Sequence, residues 1–476
     1  MNTLTIAWIG LPFFVGFSIY LIPKFAKYLA IFGAIASAAY AFQLFAIPSA
    51  VTLQLLDNFS VTLLVDRLSG YFILTNALVT AAVIIYCWPT DKTAFFYAQI
   101  LMLHGSLNAA FASTDFISLY VGLEVSGIAA FLLIAYPRTD RSIWVALRYL
   151  FISNTAMLFY LVGAVLVYKA SNSFSFAGLG AAPPEATALI FMALLVKGGV
   201  FVSGLWLPLT HSESETPVSA LLSGIVVKAG VYPLVRCALM VEEVAPIVQI
   251  FGVGAAFMGV FYGIFEKDTK RVLAFSTVSQ LGWILVAPEA AGFYALAHGL
   301  VKSALFLIAG SLPSRDFKVL RQKQINTKLW IALVVGSLSI SGFPFLVGFG
   351  AKMLTLKNLT PPYAIAMNVA AVGTAILFAK FIFLPRGGEA KSKPGFWPAV
   401  LLLLGGLIAA NAFDVQAYTL ENMLKAIAII GVGWLAYFLI FQRTAIKLPR
   451  MLEQFDHLVG FMSLISLLLF WMAFST

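Results

Sequence analysis

The chain of 476 residues is 61% hydrophobic, and only 11% of it is Asp, Glu, Lys or Arg. An average soluble domain carries roughly 25% charge. So few charges cannot cover a soluble surface, which excludes a soluble enzyme, a nucleic-acid binder and a disordered protein. The mean hydropathy of +0.96 indicates a polytopic membrane protein. Two cysteines, Cys87 and Cys237, lie in or beside apolar runs and give neither a disulfide framework nor a metal-ligand spacing. No cleavable signal is evident, because the first apolar run lacks a preceding basic cluster and reads as a spanning helix.

Apolar stretches of about 20 residues, the length that crosses a bilayer, recur along the chain. They predict helices near 3–22, 28–47, 68–87, 94–111, 116–136, 146–168, 186–206, 217–240, 245–265, 272–287, 290–312, 329–355, 363–384, 396–413, 420–441 and 458–475. The fold class expected is an all-α polytopic membrane protein of about 14–16 transmembrane helices. Segment 50–65 is short and alternating, and reads as an extracytoplasmic hairpin or loop. Loops after odd-numbered helices carry nineteen Lys and Arg, whereas loops after even-numbered helices carry Arg67, Lys169, Arg236 and Lys357. This asymmetry places the odd loops in the cytoplasm and both termini outside it. The net charge of +10 is then a consequence of topology rather than a nucleic-acid footprint.

Seven basic residues remain inside the spans. Arg148, Lys380 and Lys425 lie near helix ends, where they are expected to snorkel to the interface. Lys197, Lys228 and Lys302 lie about a dozen residues into a span, roughly 18 Å deep at 1.5 Å per residue. Lys352 follows an interior break. Glu124 is the one acid well inside a helix. Each such charge costs about 2.5–3.5 kcal/mol on insertion scales, so the five must be hydrated, paired or partly neutral. Buried ion pairs that fix packing are one reading, but one carboxylate cannot pair four ammoniums. The other is a proton path, since a buried lysine readily exchanges its proton. His104 and His298 also lie within spans. Packing explains a lone histidine equally well, but His298 shares a helix face with Lys302 at i, i+4.

Two spans contain breakers. One runs Lys197-Gly198-Gly199 through Gly204 to Pro208, and the other runs Ser341-Gly342-Phe343-Pro344 to Gly348, Gly350 and Lys352. Interrupted helices in paired positions mark ion sites in transporters built from inverted repeats, whereas ordinary Pro/Gly kinking is the plainer alternative. The spacings Lys197 to Lys352, Glu124 to Gln280 and Lys228 to Lys380 are similar and suggest a repeat.

Several stretches, in co-linear order over roughly residues 60–385, carry a family resemblance. The segment Leu207-Pro208-Leu209-Thr210-His211-Ser212-Glu213-Ser214-Glu215-Thr216-Pro217-Val218-Ser219-Ala220-Leu221-Leu222 continues to Val227-Lys228-Ala229-Gly230-Val231-Tyr232. Asp115 to Glu124, Lys267 to Gly282 and His298-Gly299-Leu300-Val301-Lys302-Ser303-Ala304-Leu305-Phe306 accompany it. Together they resemble the antiporter-like subunits shared by respiratory complex I and the multisubunit Mrp-type cation/proton antiporters. The resemblance implies that Glu124 and Lys197 form a switchable ion pair. It also implies that Lys228, His298 and Lys302 relay protons along a hydrated axis towards Lys352. It further implies N-terminal helices over 1–93, inverted five-helix repeats over 94–240 and 245–385, and C-terminal helices over 386–476. Tyr294 stands where many relatives have a second histidine, and Pro208-Leu209 where they have Pro-Asp. No acid follows Lys352, which favours the Mrp-type branch over complex I.

The expected function is therefore a proton-translocating subunit of an Mrp-type Na⁺/H⁺ antiporter. A proton-pumping subunit of a quinone oxidoreductase is the alternative. The site residues expected are Glu124, Lys197, Lys228, His298, Lys302 and Lys352, with helix breaks at Gly204, Pro208, Gly342 and Pro344. No metal, cofactor or catalytic site is expected in the chain. Its partners are other membrane subunits, the lipid bilayer and protons. Any Na⁺ step belongs to a partner or shared interface, because one carboxylate among four potentially cationic lysines is a poor Na⁺ ligand set. The expected location is a bacterial inner membrane, with a thylakoid as the alternative. A redox enzyme in its own right and a passive scaffold are the competing classes. The first lacks a dinucleotide fingerprint, a Cys cluster or paired haem-like histidines, and the second leaves the buried lysines unexplained.

Overall fold

A computed structural model describes residues 2–47, 49–55, 61–388, 393–411, 417–442, 446 and 453–475. Every predicted span is helical. In order they are α1 (Asn2–Leu21), α2 (Ala26–Ala46), α3 (Arg67–Cys87), α4 (Ala94–Ala112), α5 (Phe116–Ile134) and α6 (Asp140–Ser171). The seventh span divides into α7 (Pro184–Gly198) and α8 (Leu207–Glu213), joined by a 3₁₀ turn at Phe201–Trp206. The eighth comprises α9 (Thr216–Leu221), a wide π turn at Leu222–Val226 and α10 (Lys228–Met240). There follow α11 (Ala245–Phe265), α12 (Thr269–Leu285), α13 (Ala291–Ala309) and a short α14 (Phe317–Leu320). Then come α15 (Thr327–Ser341) and α16 (Val347–Lys357), which together make the second divided span. The last are α17 (Pro361–Ile382), α18 (Phe396–Ala410), α19 (Leu420–Ala436) and α20 (Phe455–Ser475). Among the described residues, twelve helical stretches are long and apolar enough to cross a membrane. The spans built on α4, α12, α15–α16 and α18 are shorter or more polar. The chain is an all-α polytopic membrane protein.

Segment 50–65 forms a hairpin of β1 (Val51–Gln54) and β2 (Thr62–Val65), with Val51 opposite Val65. Its tip, 56–60, lies outside the described residues.

The connections fall into two sets, each held together at its own end of the bundle. At the odd-loop end, Lys27 Nζ donates to the Trp88 carbonyl at 2.6 Å, Lys92 pairs with Glu215 at 2.7 Å and Arg141 with Glu213 at 3.3 Å. Arg271 there pairs with both Glu266 and Glu453. At the even-loop end, Thr62 N–H donates to the Asp115 carboxylate at 2.8 Å, and Arg236 pairs with Asp66 at 2.6 Å. Lys391, Arg443, Lys447 and Arg450, counted with the odd loops from sequence, lie outside the described residues.

The same local device occurs at both ends. Asp115 caps α5 by accepting from Ser118 N–H, and Asp268 caps α12 by accepting from Arg271 N–H. Each cap then pairs antiparallel with the segment that follows the next helix. Phe116 N–H donates to Phe174 O and Phe176 N–H to Thr114 O. In the second copy Thr269 N–H donates to Arg315 O and Phe317 N–H to Lys267 O.

Three charge assignments change. Arg236 is not in a loop: it lies inside α10 and is buried against Asp66, Tyr232 and Ser69. Arg148 does not snorkel, because α6 begins earlier than predicted, at Asp140; the guanidinium is buried and donates to the Glu453 carbonyl. Lys380 is buried as well. Its ammonium donates to the carbonyls of Gly263, Ile264 and Glu266, closing the C-terminus of α11, where helical carbonyls have no partner of their own. Lys425 is exposed.

Candidate functional site

The two interruptions share one backbone design. After α7 the chain turns left-handed at Gly199 (φ +67°) and again at Phe201 (φ +54°). After α15 it does so at Gly342 (φ +86°) and Phe345 (φ +69°). Glycine tolerates this conformation because it has no Cβ. Gly204 lies within the first 3₁₀ turn, and Pro208 sits in the first turn of α8, where its missing N–H is no loss. Pro344 lies in the turn between Gly342 and α16. The first break thus falls at Gly199–Val200, ahead of the Gly204 and Pro208 expected to make it. The inferred equivalence of Lys197 and Lys352 does not hold either. Lys197 stands two residues before its left-handed glycine, and Lys352 ten residues after its own.

Irregular backbone supplies the partners of two of the four buried ammoniums, and regular helices those of the other two. Lys352 Nζ donates to the Ser341 carbonyl at 3.1 Å, across the break. Lys228 Nζ donates to the Gly224 carbonyl inside the π turn, where the wider hydrogen-bond spacing alters the ladder. Lys302 Nζ donates to Leu273 O of α12 at 2.9 Å. Lys197 Nζ donates to the Ser153 hydroxyl of α6 at 2.7 Å. All four lysines are buried, and among the described residues none is paired with a carboxylate.

Glu124 is only partly buried, and its Oε1 has no hydrogen-bond partner. Glu124 and Lys197 are not ion-paired in this structure.

His298 is buried with both ring nitrogens unpartnered, on the α13 face it shares with Lys302. Tyr294, one turn earlier, donates to Gln280 Oε1 at 2.6 Å and stacks on Trp283. The Lys352 ammonium lies 5.0 Å from the Trp283 ring centroid, and Lys302 lies 5.3 Å from that of Phe378. Cation–π contacts of this kind stabilise a desolvated ammonium without a counter-charge. Trp283 and Tyr294 thus link the Lys352 position to α13, the helix that carries His298 and Lys302.

His104 belongs elsewhere. Its Nε2 is bonded to Ser37 Oγ at 2.8 Å and approached by Asn108 Nδ2, and its Nδ1 is bonded to Thr80 Oγ1 at 3.2 Å. A closed polar cluster of α2, α3 and α4 satisfies the ring, which accounts for it as packing.

Three contributors escaped the sequence reading. Ser153 and Gly127 lie against the Lys197 ammonium, and a serine or glycine in an apolar helix carries no distinguishing pattern. His211, in α8, is buried with both nitrogens unpartnered, its ring tilted against those of Trp206 and Phe306. It lies within the recognisable Leu207–Leu222 stretch, and its place in a half-helix next to a break is the signal that could have singled it out.

The chain is similar to known proteins. Residues 113–378 match the family described as "NADH:quinone oxidoreductase/Mrp antiporter, TM". The chain is 30% identical over 421 residues to an NADH-quinone oxidoreductase subunit of Desulforudis audaxviator, covering 78% of this chain and 81% of the relative. It is 26% identical over 439 residues to a Na(+)/H(+) antiporter subunit of Alkalihalophilus pseudofirmus, covering 82% and 88%. Its fold is similar to a chain of the archaeal membrane-bound sulfane sulfur reductase, with a TM-score of 0.77, 20% identity, and coverage of 91% of this chain and 98% of that one. It is also similar to a chain of the Mrp complex from a Dietzia species, with a TM-score of 0.75, 22% identity, and coverage of 92% and 56%. With more than half its length in the matched region, the chain belongs to the NADH:quinone oxidoreductase/Mrp antiporter transmembrane family.

Proposed function

We propose that this antiporter-like membrane subunit conducts protons through Glu124, Lys197, Lys228, His298, Lys302 and Lys352. The observation that carries the reading is the set of four buried lysines held by carbonyl and hydroxyl oxygens, with no carboxylate neutralising them among the described residues. Lys380, which closes the C-terminus of α11, is held by three carbonyls, whereas each of these four donates to a single neutral oxygen. An ammonium held by one neutral acceptor can release its proton to water and regain it without breaking a salt bridge. Glu124 and Lys197 are the pair that opens and closes, and Lys228 and Lys302 carry the proton to Lys352. His298, with two free ring nitrogens, can accept on one and donate from the other.

The inverted halves 94–240 and 245–385 are part of the proposal, supported by the two left-handed breaks and the two cap-and-bridge devices. Residues 1–93 and 386–476 then flank the core. The basic end faces the cytoplasm, by the positive-inside bias, and both termini face away from it. The membrane is a bacterial inner membrane.

Within the family, we favour an Mrp-type Na⁺/H⁺ antiporter, because Met353 rather than an acid follows Lys352. A redox-driven quinone oxidoreductase is the second reading, favoured by the relative in Desulforudis audaxviator. Either assembly supplies other membrane subunits as partners. Purifying the complex from its native membrane decides between them. Small membrane subunits without a peripheral arm support antiport, and a peripheral iron–sulfur arm overturns it.

A further inference from the structure

We propose that the Ser153 hydroxyl is the resting partner of the Lys197 ammonium, and that Lys197 moves between Ser153 and Glu124 along a groove in α5 floored by Gly127. The inference rests on the proton-path reading and assigns two positioning residues to its first step.

Three observations meet here. The Lys197 ammonium donates to Ser153 Oγ at 2.7 Å, and Ser153 is itself buried. The same ammonium lies against Gly127, where a Cβ would come within 2.8 Å of Nζ and 3.9 Å of Ser153 Oγ. Glu124 stands three residues before Gly127, so the two share one face of α5 a single turn apart. Its Oε1 is buried without a hydrogen-bond partner.

An ammonium that lies against Gly127 and a carboxylate one turn earlier on the same helix attract inside a membrane. Something must hold them apart if the pair is to open. The serine hydroxyl does this by accepting from the ammonium, a charge-assisted bond stronger than a neutral one. Gly127 makes it possible, because any side chain there would occupy the volume that Nζ fills. The step exchanges one acceptor for another. Lys197 gives up its bond to Ser153 and gains one to Glu124, no covalent bond changes, and the proton stays on nitrogen until a water takes it.

The test uses the intact complex in inverted membrane vesicles. Proton translocation is read with a ΔpH-sensitive dye, and a density map is made of the Ser153→Ala complex. Ser153→Ala removes the resting acceptor at nearly constant volume. It is expected to lower translocation about tenfold, the worth of one hydrogen bond to a charged group. In the map, Nζ is expected within ion-pair distance of Glu124. Ser153→Thr, which keeps the hydroxyl, is expected to restore translocation to within about twofold. Ser153→Cys, a weak acceptor, should fall between the two and tests the idea again if the Ala variant fails to assemble. Full translocation by both Ser153→Ala and Ser153→Cys overturns the proposal, as does an unmoved Nζ in the Ala variant. Glu124→Gln separates the levels. If it is inactive while Ser153→Ala is fully active, only the role of Ser153 fails. If it is fully active, the proton-path reading fails with it.

Discussion

Lys352 in α16 donates from Nζ to the carbonyl of Ser341, the last residue of α15, 3.1 Å away across the interruption of that span. One side chain therefore bridges the two halves of a helix that the backbone leaves unjoined. The break both creates the acceptor and sets where the ammonium rests.

This coupling makes Gly342 sensitive to the smallest side chain. Its φ of +86° is strained for an L-residue, and a Cβ would lie 2.9 Å from Lys352 Cδ. Gly342→Ala is expected to cost about 1–2 kcal/mol from the backbone term and to displace Lys352. Translocation should fall more steeply than the thermal stability of the purified complex. Wild-type translocation at lowered stability would mean that the resting place of Lys352 does not matter.

The spans and both breaks were legible because each leaves a local mark in the sequence, apolar length or glycine with proline; the six residues of the proposed path stand out only as ionisable groups where none should be. Their partners were not. Ser153 Oγ, Gly224 O and Leu273 O reach the lysines only through packing and local backbone geometry, and backbone carbonyls carry no residue signature. Arg148 and Lys380 were misread because a basic residue near a helix end looks alike whether it faces headgroups or closes a neighbouring helix. The lysine spacings point to Lys197 and Lys352 as matching positions, but the feature the two interrupted spans share is the left-handed break at Gly199 and Gly342, not the side chain.

Glu124→Gln should abolish translocation while leaving assembly intact. The substitution preserves volume and removes only the charge that draws Lys197 away from Ser153. Copurification of the partner subunits checks assembly, and dye quenching checks transport. A fully active variant would show that no carboxylate is needed at that step.

The Arg236–Asp66 pair anchors α10 to the start of α3 and predicts a pH dependence of stability. Burial opposes ionisation of Asp66, but the hydrogen bonds and charge of Arg236 prevail and hold its carboxyl below the usual carboxylate range. A carboxyl lowered by folding stabilises fully above its unfolded value, near ~3.9, and the contribution is lost as pH falls through the lower folded value. Arg236→Ala leaves the half-buried Asp66 carboxylate, still bonded to Ser69 N–H, without its counter-charge and should destabilise by about 1–3 kcal/mol at neutral pH. Melting curves in detergent should show the gap between wild type and variant narrowing as the medium is acidified through the carboxylate range, because Asp66 protonates first in the variant, where burial is unopposed by Arg236, and last in the wild type. A gap independent of pH would assign the loss to packing.

Na⁺ should find no dehydrated site in this chain. Glu124 is the one carboxylate well inside the spans among the described residues, against four buried lysines, and a like charge at 4 Å costs about 4 kcal/mol at an effective dielectric of 20. A density map of the intact complex at high Na⁺ should contain water along the axis. A Na⁺ ligated by Glu124 or by the carbonyls around Gly342 would contradict this.

The central claim, that lysine carries the proton, is tested most directly by Lys352→Arg in vesicles containing the intact complex. Arginine preserves the positive charge and the hydrogen bond to Ser341 but stays protonated at any accessible pH. Translocation should be lost, as completely as in Lys352→Ala, with assembly unchanged. Wild-type translocation by the arginine variant would contradict it, since the site would then need only a fixed charge.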